Sequence, residues 1–202
     1  MNSTVSNVLK AVLVLAVVGL SYYLYEIIQQ PIRFEKIKTE RYTKIKDRLE
    51  QIRDVQKVYR SEYLIFAKDF NSLISFVDTG KESIIERKDS SFKYYNDVFQ
   101  QEMEKDTTII RVLGYRSVKE SMFGADFDAS QLRYIPGTDN KEFTMDAGKI
   151  EVNDLPIPVF EAVAPNATVF EDVMDDYDQF IDKNYGLKVG SMIEAKLSGN
   201  WK

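Results

Sequence analysis

The chain has 202 residues, a formal net charge of −5, and neither cysteine nor histidine. This length accommodates one membrane segment and one domain of about 100 to 150 residues. Without cysteine the chain can form no disulfide, thiolate metal site or cysteine nucleophile, and without histidine it lacks the commonest zinc ligand and the serine-histidine triad. Most hydrolase and metalloenzyme classes are therefore excluded, and we expect a non-enzymatic protein without a cofactor.

The first feature along the chain is an apolar run, residues 11–28, which follows a short tail of residues 1–10. As a helix, the run would rise about 27 Å, close to the thickness of the hydrocarbon core of a bilayer. Residue types that anchor a span at the lipid headgroups occur at its two ends. These anchor residues are Lys10 at one end and Tyr22, Tyr23 and Tyr25 at the other. The sequence therefore predicts a single-pass anchor in contact with membrane lipid.

Two alternatives to this anchor are open. A cleaved signal peptide would use the small residues around Gly19 and Ser21 as its cleavage site, although the apolar run continues directly after them. A buried core helix is the other alternative. Neither changes the prediction that a helix occupies this part of the chain.

Charge is distributed unevenly after the apolar run. Residues 33–60 carry ten Lys or Arg against five Asp or Glu, whereas residues 61–202 carry sixteen against twenty-six. A basic segment thus precedes an acidic domain, and an acidic domain argues against nucleic acid as a partner. By the positive-inside rule alone, the basic residues after the span would place the domain in the cytoplasm.

Residues 29–78 are predicted to form an amphipathic stalk helix. Apolar residues recur there at alternating spacings of three and four, which is the heptad pattern of a helix that packs along one seam. The seam consists of Tyr42, Ile45, Leu49, Ile52, Gln56, Tyr59, Tyr63, Phe66, Phe70, Leu73 and Val77. We expect its upper half to pack into the domain. Its lower half, residues 42–56, would meet water or a protein partner, including a second copy of the chain.

Three positions in this stalk have specific interpretations. Gln56 is the polar residue of the seam, and a polar residue at a core position can fix the register and number of partners at a cost in stability. On that interpretation Gln56→Leu raises stability and loosens partner choice; the alternative is that the seam faces solvent there. Pro31 suits a kink or the first turn of a new helix. Asp69 is predicted to cap a helix that begins at Phe70, after a bend near Lys68.

The remaining residues, 79–202, are predicted to form an α+β head. Residues 78–89 resemble a loop with a turn at Gly80, and residues 91–106 are ambiguous between helix and strand. Strands are predicted at residues 107–115, 132–136, 141–152 and 157–165, with a turn at 137–140. Apolar residues at helical spacing predict a helix over residues 168–184, with Gly186 as its stop. Short strands without a βαβ rhythm indicate a small antiparallel sheet.

Two local patterns suggest chemistry. Acidic residues between 171 and 182 could be calcium ligands, but apolar residues interrupt them at helical spacing, so a solvated helix face is the preferred interpretation. Asn166-Ala-Thr168 matches an N-glycosylation acceptor. We expect no metal site, and the sequence offers no catalytic residues.

The order of parts resembles type IV pilins and the pseudopilins of type II secretion, which have a short tail, an apolar helix, a polar continuation of that helix and a small antiparallel sheet. The similar region is residues 49–77, which includes "IRDVQKVY" and "DFNSLISFV". The chain is also similar to uncharacterised single-pass envelope proteins of Bacteroidota. The shared phrases are "IRDVQ", "PVFEA" and "GLKVGSMIEAKLSGNW".

These resemblances imply a bacterial inner-membrane anchor with the head in the periplasm. They further imply a structural or interaction subunit of an envelope assembly of the secretion or pilus type. A tethered module that binds a peptide or small ligand is the first alternative, and a cytoplasm-facing membrane adaptor is the second.

Overall fold

A computed structural model describes residues 3–201 of the chain. It begins with helix α1, Ser3–Tyr63, which continues without interruption past Pro31. The expectation that Pro31 starts a new helix is therefore wrong. At 1.5 Å per residue, the part of α1 that follows residue 28 extends about 50 Å beyond the apolar run.

Within residues 3–201, α1 is the helix that is long and apolar enough to cross a membrane. Its apolar window has no buried residue, and residues 11–25 are exposed throughout. The alternative of a buried core helix is therefore wrong, because this segment packs against nothing in the fold. By length and composition the segment is compatible with a membrane anchor.

The second part of α1 runs through the hydrophobic core of the head. Ile45, Leu49, Ile52 and Val55 are fully buried there. The separate stalk predicted for residues 29–78 is therefore wrong, because one face of the helix packs against the head from residue 34 onward. The exposed side chains of this segment are those between the seam positions, as its amphipathic pattern requires.

Helix α1 ends at Tyr63, and the chain turns sharply through residues 64–69. Leu64 adopts a left-handed conformation with φ of 61°. Helix α2, Phe70–Thr79, follows, and the Asp69 side chain accepts a hydrogen bond from the backbone N–H of Ser72. The predicted cap is thus confirmed, and the predicted bend occurs a few residues before Lys68.

A long antiparallel hairpin follows α2. Its strands are β1, Lys81–Asn96, and β2, Gln101–Ser117, and they pair in register from base to tip apart from a bulge between Ile84 and Ile85. Gly80 lies between α2 and β1. The chain needs a glycine there, because a β-carbon would collide with the carbonyl oxygen of Phe76. The loop predicted for residues 78–89 is wrong, and the strand predicted for 107–115 is confirmed. The helix α3, Val118–Met122, returns the chain to the head.

A second antiparallel sheet lies against α1 in the order β3-β4-β5. Its strands are β3, Thr144–Val152, β4, Leu155–Pro165, and β5, Gly186–Gly190. Side chains of β4 and β5 meet α1, α2 and the short 3-10 turn Ala129–Leu132 in one core. The α+β class is confirmed, with a long N-terminal helix followed by antiparallel sheets.

Other expectations for the head differ from the structure. The strand predicted for residues 132–136 is wrong, since only Tyr134 forms an isolated bridge, to Glu142. Instead of one helix over 168–184, the chain forms the short helices α4, Asn166–Val169, and α5, Met174–Tyr177, with 3-10 turns beside them. Strand β5 was not predicted.

Candidate interaction surfaces

The lower seam predicted to meet a partner lies inside the head. Ile45, Leu49, Ile52 and Gln56 have no exposed surface, and Tyr42 and Tyr59 are partly buried. The expectation that residues 42–56 contact a partner or water is therefore wrong. The seam packs against the chain's own sheet and α2, because these elements supply the apolar surface that it needs.

Gln56 has a structural role that the sequence did not reveal. Its Nε2 donates to the backbone carbonyl oxygen of Ala67 at 2.8 Å, and its Oε1 accepts from the backbone N–H of Ala67 at 2.9 Å. Nε2 also lies 3.3 Å from the sulfur of Met145. Ala67 is only 2% exposed, so Gln56 satisfies both backbone groups of a buried residue in the turn between α1 and α2.

A second set of polar contacts fastens the 166–182 segment to α1. The Arg41 guanidinium donates to both carboxylate oxygens of Asp172, at 2.6 and 2.7 Å, and to the carbonyl oxygen of Val169. Hydrogen bonding to Arg41 lowers the pKa of Asp172, and the same contact raises the pKa of Arg41. The pair thus holds the segment against the helix.

Tyr42 makes a related contact one residue further on. Its hydroxyl donates to Asn166 Oδ1 at 2.7 Å, while Asn166 Nδ2 donates to the carbonyl oxygen of Asp182. Burial raises the pKa of Tyr42. The Asn166 side chain is 4% exposed and already bonded at both ends, so the glycosylation-like motif presents no free amide.

These contacts bring the head close to the apolar run. Phe34 is buried among the rings of Phe170, Tyr177 and Phe180. Gln179 Nε2 donates to Gln30 Oε1 at 3.2 Å, two residues beyond the end of the apolar run. If residues 11–28 span a bilayer, the head therefore sits at the membrane surface on a continuous helix.

The four predicted anchor residues lie on the surface of α1. Lys10, Tyr22, Tyr23 and Tyr25 are all exposed on α1. Because consecutive helical residues are about 100° apart, the three tyrosines point to different sides of the helix. Such positions are compatible with an aromatic belt if the apolar run spans a bilayer.

Three of the six acidic residues between 171 and 182 form ion pairs within the described residues. Asp172 pairs with Arg41, Glu171 with Lys141 at 2.9 Å, and Asp178 with Lys183. Residues 3–201 contain no group of three side chains placed to hold a metal ion. An open cleft with both polar and aromatic walls lies at the base of the hairpin, lined in part by Tyr59, Tyr63, Phe76 and Tyr115.

The hairpin of residues 81–117, which we call the arm, is a candidate interaction surface that the sequence did not predict. Its strands extend about 50 Å at the usual rise per residue. Near its base, the Glu62 carboxylate accepts from the backbone N–H and hydroxyl of Ser83. Among the described residues, side-chain hydrogen bonds and ion pairs of residues 85–112 all stay within the arm.

Apolar side chains are exposed on both faces of the arm. The register places Ile85, Val112 and Ile110 on one face, and Phe92, Tyr94 and Ile109 on the other. All six are at least 37% exposed. At the tip, Val98 and Phe99 are 84% and 64% exposed. A two-stranded hairpin is marginally stable in water, and an exposed apolar surface of this kind is typical of an interaction site.

The sequence contained only a weak indication of the two strands of the arm. Strands exposed on both faces carry no apolar alternation, and charged residues made residues 78–89 resemble a loop. Comparison with known proteins gives no further guide, because no family model, curated protein or solved structure matches the chain.

Proposed function

We propose that the protein is a non-enzymatic, membrane-anchored structural subunit that uses its arm to assemble with other proteins of a bacterial envelope complex. The observation that carries the proposal is the arm itself, with apolar side chains exposed on both faces and no cover from the described head. Such an element gives an assembly subunit a long surface for association.

The route from anchor to arm supports a mechanical role. Helix α1 is continuous from the apolar run to Tyr63, and the base of the arm is tied to Glu62 at its far end. The head packs against one face of this helix from residue 34 onward. With the apolar run as the anchor, this continuous helix would hold the arm at a fixed distance from the membrane, as an assembly subunit requires.

The orientation of the anchor is part of the proposal. The resemblance to pilins and to envelope proteins favours an inner-membrane anchor with the head in the periplasm, while the basic residues after the span favour the cytoplasm. A topology reporter fused after Lys202 decides between them. Periplasmic reporter activity supports the proposal, and cytoplasmic activity would replace it with the membrane adaptor.

Site-specific photocrosslinking in cells tests the assembly role. We would place a photoreactive phenylalanine analogue at Tyr94 on the arm and, as a matched control, at Tyr185 on the head. Their exposures are similar, 37% and 41%. The proposal predicts discrete protein adducts from the Tyr94 position and few from Tyr185. The absence of adducts at Tyr94, or an equal yield at both positions, would contradict it.

A further inference from the structure

We infer that the arm pairs with the arm of a second copy of this chain, antiparallel along the outer edge of β2, to form a four-stranded sheet in the order β1-β2-β2-β1. This inference rests on the proposed assembly function and names its first partner. Within the part of the chain that the structure describes, β2 has β1 as its one neighbouring strand, so its outer edge carries unpaired backbone groups. Such an edge is a template for another strand.

The charges of one β2 strand are complementary to those of a second β2 strand that runs antiparallel to it. Its distal part, residues 101–106, holds Glu102, Glu104 and Asp106 against a single Lys105. Its remaining part, residues 107–117, holds two arginines and no acidic residue. Antiparallel pairing of two β2 strands therefore sets the acidic part of each copy against the basic part of the other. Parallel pairing would place like charges opposite each other, which is destabilising.

Strand β1 lacks this property. Residues 81–88 carry three basic and two acidic side chains, and residues 89–96 carry one of each. Antiparallel pairing of two β1 strands would therefore not set opposite charges against each other. The whole arm is neutral, with seven residues of each sign, whereas residues 118–202 carry sixteen acidic residues against eight basic ones. The arm is thus the part of the head that a second copy does not repel.

The length of β2 suffices for a stable contact. An antiparallel pair forms about one inter-strand hydrogen bond per residue pair, so two strands of 17 residues can form about 15. A typical protein interface contains about ten hydrogen bonds. Residues 107–112, "TTIIRV", are also rich in the β-branched residues that favour strands. Full overlap of the two strands places the two-fold axis at the midpoint of β2, residue 109, which sets Glu102 of each copy opposite Arg116 of the other.

Single-cysteine crosslinking of the full chain in membranes tests this arrangement, and the absence of native cysteine makes it specific. The variants are Glu102→Cys, Thr108→Cys and Arg111→Cys. In an antiparallel pair only residues near the two-fold axis face their own copy, so oxidised dimer should form with Thr108→Cys and not with Glu102→Cys. Equal dimer at all three positions, or none at Thr108 and its neighbours 107–110, would overturn the inference.

Charge reversal provides a second, independent test of the pairing. Glu102→Arg or Arg116→Glu alone should each lower the dimer yield of Thr108→Cys about tenfold, because Glu102 faces Arg116 of the second copy and symmetry repeats every like-charge contact. The double reversal should restore the yield, since it exchanges the two signs. Failure of the double reversal to restore it would contradict the charge match. Adducts from Tyr94 to a different protein, with no oxidised dimer at residues 107–110, would refute self-pairing and leave the proposed function intact, whereas neither adduct nor dimer would refute both.

Discussion

Replacing Gln56 by leucine separates the two interpretations of the seam. If the glutamine fixed the register of partner helices, Gln56→Leu would raise stability, as the sequence suggested. In the structure its amide instead bonds to both the N–H and the carbonyl oxygen of Ala67. A leucine can satisfy neither group. We therefore expect the opposite sign, a loss of stability.

The size of the loss follows from these two bonds. A buried backbone group left without a partner costs about 1 to 3 kcal/mol, and Ala67 would have two. The apolar leucine side chain offsets part of this, about 1 to 2 kcal/mol. The net decrease in the free energy of unfolding is about 3 kcal/mol. For a chain of this size, that corresponds to a Tm lower by about 6 to 12 °C.

Thermal unfolding of the full chain in detergent, followed by circular dichroism, measures this change. Gln51→Leu is the matched control on the same helix, because Gln51 Oε1 has no hydrogen-bond partner within the described residues. We expect the control to keep or slightly raise the Tm. A Gln56→Leu protein as stable as the wild type, or more stable, would refute the role assigned to Gln56.

Three further predictions concern the contacts of the head. Asp69→Ala should lower the free energy of unfolding by about 1 kcal/mol in urea titrations, because α2 loses its N-cap, whereas Asp69→Ser should retain most of it. Tyr42→Phe leaves the buried Asn166 Oδ1 without its donor and should destabilise by about 1 to 2 kcal/mol in the same assay; an unchanged midpoint would show that the hydroxyl is dispensable. The lowered pKa of Asp172 means that its pair with Arg41 stabilises the fold above the unfolded pKa and is lost as pH falls through the folded value. Wild type and Asp172→Asn should therefore differ by under about 1 kcal/mol at neutral pH and converge below about pH 4, and a difference that grows with acid would contradict this assignment.

The sequence predicted the elements that depend on strong local patterns. The apolar run, the helical seam and the Asp69 cap each follow from spacing and side-chain chemistry, and all are present in the structure. What the seam packs against could not be predicted, because a heptad pattern does not distinguish a partner helix from the chain's own sheet. The hydrogen bonds of Gln56 were hidden for a similar reason, since its partner is the backbone of a turn eleven residues away.

The segment after β4 shows a second limit. Val169, Phe170 and Ile181 are buried, as their helical spacing suggested, yet the chain reaches these positions through short turns. Aspartate is a poor helix former and favours turns, and residues 171–182 contain five of them. Packing against Phe34 then fixes the path. Tertiary contacts thus outweighed the periodicity of the sequence.

Removal of the arm tests its proposed role in assembly most directly. Glu86 and Arg111 are opposite each other in the hairpin, so residues 87–110 can be replaced by an Asn-Gly turn. The excised residues support no side-chain hydrogen bond to the described head, so the Tm of the head should change by only a few degrees.

The decisive measurement is the mass of the complex extracted from membranes in mild detergent, compared for the wild type and the excised protein. We predict a wild-type complex larger than one chain and an excised protein that runs as a folded monomer. A complex of unchanged mass after excision, or a monomeric wild type, would contradict the conclusion that the arm is the assembly surface.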